Sequence, residues 1–363
     1  MAYRLQPGES VREGLRRIAR EELSSAASGL RQATARTRDE AIHGARKSVK
    51  KVRAILRLMR GELGGTYKIE NRRLRDVARR LSIYRDGTVM IETLDQLGDH
   101  NKDERSARAL AAIRRGLVEN KRRQRRGTRM TSAMRRAGEA LLAASARVDR
   151  WRLVMDGPVA LAPGMETAYR RGRSGFAAAR RHAQPEHCHE WRKRVKDHWY
   201  HLRLLESRWN AATRAREKSL KELETWLGEH HNLEVLSARL AAEAAGEGKP
   251  KDAKLCRGLI GELQRELRRK ALALGQRLYS EPPELFRKHL AQLWRPQRTG
   301  GAGRPASQSC RAPLSFPVAG QFTQLHHCEK PAGGPAADEG VRPTAGGRLN
   351  LRANSGTLTG LKK

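Results

Sequence analysis

One helix-length segment constrains this chain more than any other. From Ile42 to Leu63 the apolar residues Ile42, Ala45, Val49, Val52, Leu56, Met59 and Leu63 recur at alternating steps of three and four. That spacing lines one face of a helix and makes a seam for packing against other helices. Shifted by one residue, His43, Arg46, Lys50, Arg53, Arg57 and Arg60 form a second row of the same period, wholly basic. One residue is about 100° of helical rotation. The basic row therefore borders the seam and does not oppose it, which places it to line a groove between helices.

A second segment repeats the arrangement. Cys188, Trp191, Val195, His198, Leu202, Leu205 and Trp209 hold the apolar phase, and His189, Arg192, Lys196, Trp199 and Arg203 hold the shifted row. His43 and His189 share one phase at a separation of 146 residues. At the same offset Arg46 matches Arg192, Lys47 matches Lys193, Lys50 matches Lys196 and Arg57 matches Arg203. A joint match of the histidine, the basic set and the seam points to an internal duplication.

The rest of the chain fits an all-α fold. Ala, Leu, Arg and Glu dominate up to about residue 296, β-branched runs are missing, and Gly or Pro falls mainly at boundaries. Ser10 with Glu13 forms a capping box that opens the first helix. Further helices are expected at about 39–63, 66–85, 86–97, 101–126 and 128–155. After a linker at Gly157-Pro158 and Pro163-Gly164, others follow at about 165–182, 186–209, 212–228, 231–245, 251–279 and 283–294. The expected organisation is an N-terminal helical half over 1–156, a C-terminal helical half over 157–296 and a tail over 297–363. The tail holds 11 Gly and 6 Pro in 67 residues without an apolar period, so it reads as disordered.

Charge decides the partner class. The chain carries 75 Lys+Arg against 39 Asp+Glu, a net +36, and the tail contributes only nine basic and three acidic residues. The surplus belongs to the helical region and calls for a polyanion. Arg offers paired donors to phosphate oxygens, Lys a mobile point charge, and His a donor when neutral. Only 4% of residues are aromatic, too few for the base-stacking platforms of single-strand binders.

Other readings receive little support. No stretch approaches the roughly 18 apolar residues of a membrane span, and Met1-Ala-Tyr-Arg lacks an apolar signal core. The scattered Cys188, Cys256, Cys310 and Cys328 predict a reducing cytoplasm without a disulfide framework. His182, His187, Cys188, His189, His198 and His201 are poorly spaced for a metal, and His198 sits in the apolar phase as a satisfied core histidine. The dense basic run from Arg114 to Arg136 reads as a solvated face. No phosphate-cradling glycine loop, HExxH or metal-binding acidic pair is found, so neither a cofactor nor catalysis is expected.

The two stripe segments resemble the signature helices of CHAD domains, the conserved-histidine α-helical domains, whose pattern is His, Arg at +3, and basic residues at +7, +8 and often +10. His43, Arg46, Lys50, Lys51 and Arg53 fill that pattern. His189, Arg192 and Lys196 fit it too, while Asp197 and Trp199 depart at +8 and +10. Glu9-Ser-Val-Arg-Glu-Gly-Leu-Arg-Arg-Ile, Tyr84-Arg-Asp-Gly-Thr-Val-Met and Leu227-Gly-Glu-His-His-Asn-Leu-Glu-Val also look familial, so the resemblance covers about residues 4–295. It implies two pseudo-symmetric four-helix-type bundles that bind inorganic polyphosphate and associate with polyphosphate granules. The implied ligand residues are His43, Arg46, Lys47, Lys50, Lys51, Arg53 and Arg57, with His189, Arg192, Lys193, Lys196 and Arg203. Arg79 and Arg80 join them if the third helix packs antiparallel to the second. No Glu-x-Glu-x-Lys signature of a fused triphosphate-tunnel domain is present, so the chain reads as a stand-alone binding module. The alternatives are a nucleic-acid-binding protein and a polyphosphate phosphohydrolase; self-association is left open.

Overall fold

A computed structural model describes residues 2–292, apart from 102, 126–127, 209 and 245–249. The expectations for the 297–363 tail, for the end of the last helix and for Trp209 lie outside the described residues. Within them every regular element is helical. The seam from Ile42 to Leu63 is buried along its whole length. It runs through α2 (Arg38–Leu58) into the first turn of α3 (Arg60–His100). The other helices are α1 (Val11–Gln32), α4 (Glu104–Arg125), α5 (Arg129–Arg147), α6 (Gly157–Arg181), α7 (Pro185–Leu204), α8 (Ala211–Ala244), α9 (Pro250–Leu278) and α10 (Pro283–Gln292).

Each helix buries its apolar stripe against its neighbours, and the contacts close into rings. α1, α2, α3 and α5 form one four-helix ring, while α6, α7, α8 and α9 form a second with α10 laid on α6. The rings meet where α2 packs on α6 and α7, and one continuous core joins them through residues such as Ile18, Val52, Ile55, Trp191, Leu202 and Leu223. The expected two bundles are not the whole architecture. Beyond the rings α3, α4, α8 and α9 run on together and enclose a separate core of Leu94, Leu97, Leu110, Leu236, Leu240 and Ile260.

Several expected boundaries shift, each for a local reason. The expected break between residues 85 and 86 is absent, because Gly87 lies buried inside α3 and the helix continues into the distal core. The expected break near residue 229 is absent too, with His230 and His231 inside the single helix α8. α2 ends at Leu58, earlier than expected, and Gly64 takes a positive φ of 49° that kinks the start of α3.

The expected linker at 157–164 is helical. Asp156 caps α6 by accepting from Gly157 N at 2.9 Å, and the same Oδ1 accepts from Val11 N at 2.6 Å. One carboxylate thus satisfies the N-termini of both α1 and α6. The predicted cap at Ser10 also forms, its Oγ accepting from Glu13 N at 3.3 Å. Pro158 suits the first turn of α6, while Pro163 stands within the helix. Gly164 is there for space: a Cβ would lie 2.0 Å from the carbonyl oxygen of Leu58.

This close approach holds the two rings together, so Gly164→Ala must force α6 off the end of α2. The expected loss is at least about 2 kcal/mol. Gly29→Ala, in open space on α1, should be neutral or gain about 0.5–1 kcal/mol from helix propensity. Chemical denaturation of both variants checks this; equal stabilities would refute the backbone contact.

Candidate functional site

The one-residue offset between seam and row now has a spatial meaning. With the α2 seam buried, Arg46, Lys50, Arg53 and Arg57 are half-buried at its border, while His43 and Arg60 at the ends are exposed. On α7 the seam Cys188, Trp191, Val195, His198, Leu202 and Leu205 is buried, and His189, Arg192, Lys196 and Arg203 are half-buried beside it. The two rows face one another. Lys50 is repelled by Lys196 and Arg192 across the cleft, and Arg57 Nη1 donates to Asp197 Oδ1 at 2.7 Å. Just below, buried His201 donates from Nε2 to the carbonyl of Ala54 at 2.9 Å, tying α7 to α2.

The flanking helices form the walls. α3 packs antiparallel on α2: Arg46 Nη1 donates to the carbonyl of Ala78 at 2.6 Å, and Arg53 Nε donates to Asn71 Oδ1 at 2.9 Å. α8 packs antiparallel on α7, where Lys196 pairs with Glu224 and Trp199 Nε1 donates to Glu217 Oε1 at 2.6 Å. Arg192 reaches the same Glu224 at 3.8 Å. The histidines that head the rows have matched neighbours: His43 feels Arg85, and the His189 ring lies 3.9 Å from that of His231. Arg85 and His231 are themselves 146 residues apart, the offset that relates the rows.

Burial and crowding lower the proton affinity of these cations. Burial, then Lys196, Arg192 and Arg46, push the Lys50 ammonium down to about 7, with only Glu224 opposing. Lys50 has no hydrogen bond or ion pair among the described residues. Arg53 falls to about 10 through burial and then Arg57. Burial is also the main cause that lowers Arg46, Arg192 and Lys196. His43 and His189 are lowered by burial and then by neighbouring cations, so both rings are neutral at neutral pH. His231 is pushed down to about 3 by burial, then by His189 and Arg192.

The remaining implied residues lie elsewhere. Lys51 turns toward α1, pairs with Glu22 and sits 5.2 Å from the Tyr3 ring. Lys47 lines the same side, in a cavity of 540 Å³ with Glu21, Glu22 and Glu40. Lys193 is exposed and paired with Glu190 at 2.5 Å. Arg203 lies over the Trp199 ring at 5.3 Å. α3 does run antiparallel to α2, but Arg79 and Arg80 are exposed, and it is their neighbour Ala78 that meets Arg46, through its carbonyl.

His198 corrects an expectation. It is fully buried, but both ring nitrogens lack a hydrogen-bond partner, and Tyr169, Tyr279 and Phe286 surround the ring. A cavity of 1060 Å³ between α1 and α5, lined by Ser24, Leu30, Met134 and Leu142, contains no row residue and lies apart from the cleft. Sequence reading missed Asn71, Arg85, Glu217 and Glu224 as wall residues, because only the antiparallel register of α3 and α8 brings them in.

Comparison with known proteins gives the family. The CHAD domain family matches residues 17–241, which include both basic rows. No curated protein matches the chain. Among solved structures, the CHAD domain from the plant Ricinus communis superposes with a TM-score of 0.57 at 17% identity, covering 78% of this chain and 96% of that one. At that identity the likeness is one of fold. No helix among the described residues is long and apolar enough to cross a membrane. With more than half of its length matched, this chain belongs to the CHAD domain family.

Proposed function

We propose that the chain binds inorganic polyphosphate in the cleft between α2 and α7, without turning it over. The observation that carries this reading is the convergence of two basic rows on one cleft, with Arg46, Lys50 and Arg53 on α2 making no ion pair with a carboxylate among the described residues. Cations about one helical turn apart, roughly 5.4 Å, suit a linear ligand whose phosphates follow one another directly. Arg46, Arg53 and Arg192 supply directional donors, and Lys50 and Lys196 supply point charges. Neutral His43 and His189 donate hydrogen bonds at the row ends. Backbone recognition of this kind reads no sequence, and the ligand has none.

The cleft offers nucleic-acid bases little. Trp199, the aromatic residue of the α7 row, is buried and engaged with Glu217, so it is not a stacking platform. Nor do its carboxylates favour metal-assisted hydrolysis: Asp197 and Glu224 are both held in ion pairs with cleft cations. The reading therefore remains binding, with the protein in the cytoplasm at polyphosphate granules.

Arg46→Ala with Lys50→Ala should weaken polyphosphate binding at least about ten-fold, since each charged contact contributes roughly 1.5–3 kcal/mol. Helix content should stay unchanged because the seam is untouched. Titration of labelled long-chain polyphosphate, with circular dichroism, checks both. Duplex DNA or RNA competing equally per phosphate would favour the nucleic-acid reading; phosphate release abolished by His43→Ala would establish an enzyme.

Affinity should also depend on pH through Lys50. Its ammonium loses its proton above about 7 in the empty cleft, and a polyanion favours the charged form. Binding therefore takes up protons near pH 7.5, and affinity falls from pH 6.5 to 8.5. Calorimetry in buffers of different ionisation enthalpy measures the uptake. Lys50→Arg should flatten that step, and an unchanged uptake would exclude Lys50 as its source.

A further inference from the structure

The two halves of the cleft differ in what meets the matched arginines Arg46 and Arg192. Arg46 donates to the carbonyl of Ala78, whose side chain carries no charge. At the 146-residue offset that relates the rows, Ala78 corresponds to Glu224. The second half therefore has a carboxylate where the first has a methyl group, and Lys196 pairs with it. Glu224 is only 5% exposed and gathers three cations: Lys196, Arg192 at 3.8 Å and Lys221 at 3.3 Å. Lys50 feels it too, across the cleft. From here, resting on the polyphosphate reading, we infer that Glu224 is a resident counter-anion of the cleft, which competes with phosphate for Lys196 and Arg192 and limits the affinity of the site.

The physical argument concerns both states. In the empty cleft, Lys50, Arg46, Arg192 and Lys196 repel one another at low solvent exposure. Glu224 offsets part of that repulsion and holds the Lys196 and Arg192 side chains. Burial pushes its carboxyl up, but Lys196, Arg192 and Lys221 outweigh burial and keep it below the usual carboxylate range. It is therefore a fixed negative charge at neutral pH. An arriving phosphate needs the same N–H donors and meets a like charge a few ångströms away. Binding must then break or share the Lys196 pair before a new one forms. The α2 side imposes no such exchange, because the matching Ala78 carries no charge and Lys50 has no ion pair among the described residues, so that row is the first to be engaged.

The test is Glu224→Gln in the full chain, which keeps shape and an acceptor but removes the charge. Long-chain polyphosphate should bind roughly ten-fold more tightly, the size of one charge contact at a partly screened site. The slope of log affinity against log salt should steepen by about one, because one more cation is free to pair with phosphate. Thermal stability of the empty protein should fall. Glu224→Ala, which copies the residue at 78, should show the same directions and guards against a peculiarity of the amide. In a Lys196→Gln background the gain from Glu224→Gln should largely disappear. Weaker or unchanged binding in both Glu224 variants would overturn the inference, showing that the carboxylate serves to position the cations. If wild-type protein failed to bind polyphosphate at all, the polyphosphate reading itself would fall.

Discussion

The structure depends on one geometric constraint: the basic rows lie a single residue from the seams that build the core. Burying Ile42, Val49, Val52 and Leu56 necessarily carries Arg46, Lys50, Arg53 and Arg57 to the edge of the packed surface. The same holds on α7, where Trp191 and Val195 draw Arg192 and Lys196 with them. Because α2 and α7 are also the helices through which the rings meet, the partly desolvated cations collect in one place. Hydrophobic packing thus sets up an electrostatic cost that is concentrated in the cleft, and a polyanion can offset it.

Compensation in the empty protein is lopsided. The carboxylates that make ion pairs with the rows come from the second ring: Asp197 takes Arg57 across the interface, and Glu224 takes Lys196 and Arg192. Arg46 and Arg53 bond neutral acceptors, the Ala78 carbonyl and the Asn71 side chain, with Asp86 acting on Arg46 only through its charge. Neutral acceptors orient a guanidinium without cancelling its charge. Asp197 stands where the repeat leads one to expect a basic residue, and it makes a bond between the rings with Arg57.

Much of this was legible in the sequence, and the failures have physical causes. The seam, the rows and their common phase follow from helical periodicity, a local property. Lys47 and Lys51 show where that logic stops. They sit one residue beyond Arg46 and Lys50, a further 100° around the helix, which takes them to α1 and its Glu22. Helix breaks were misplaced at Gly87, near residue 229 and at 157–164 because tertiary packing overrides the turn preference of glycine and proline: Gly87 is buried, and Gly164 touches the Leu58 backbone. Glu224 was invisible for another reason. Its role depends on which residue of α8 comes opposite Lys196, and no pattern within α8 encodes that.

The neutral histidines complete the electrostatic logic. A lysine or arginine at position 43 or 189 would add a fixed charge beside Arg85 and Lys47, or beside Lys193 and Arg192. Burial, with crowding of that kind, already drives Lys50 toward neutrality. An imidazole avoids it, because in the empty protein it gives up its proton and still presents an N–H donor. The rows therefore end in groups that donate a hydrogen bond without adding a fixed charge, whereas their middles carry arginines whose charge does not vary.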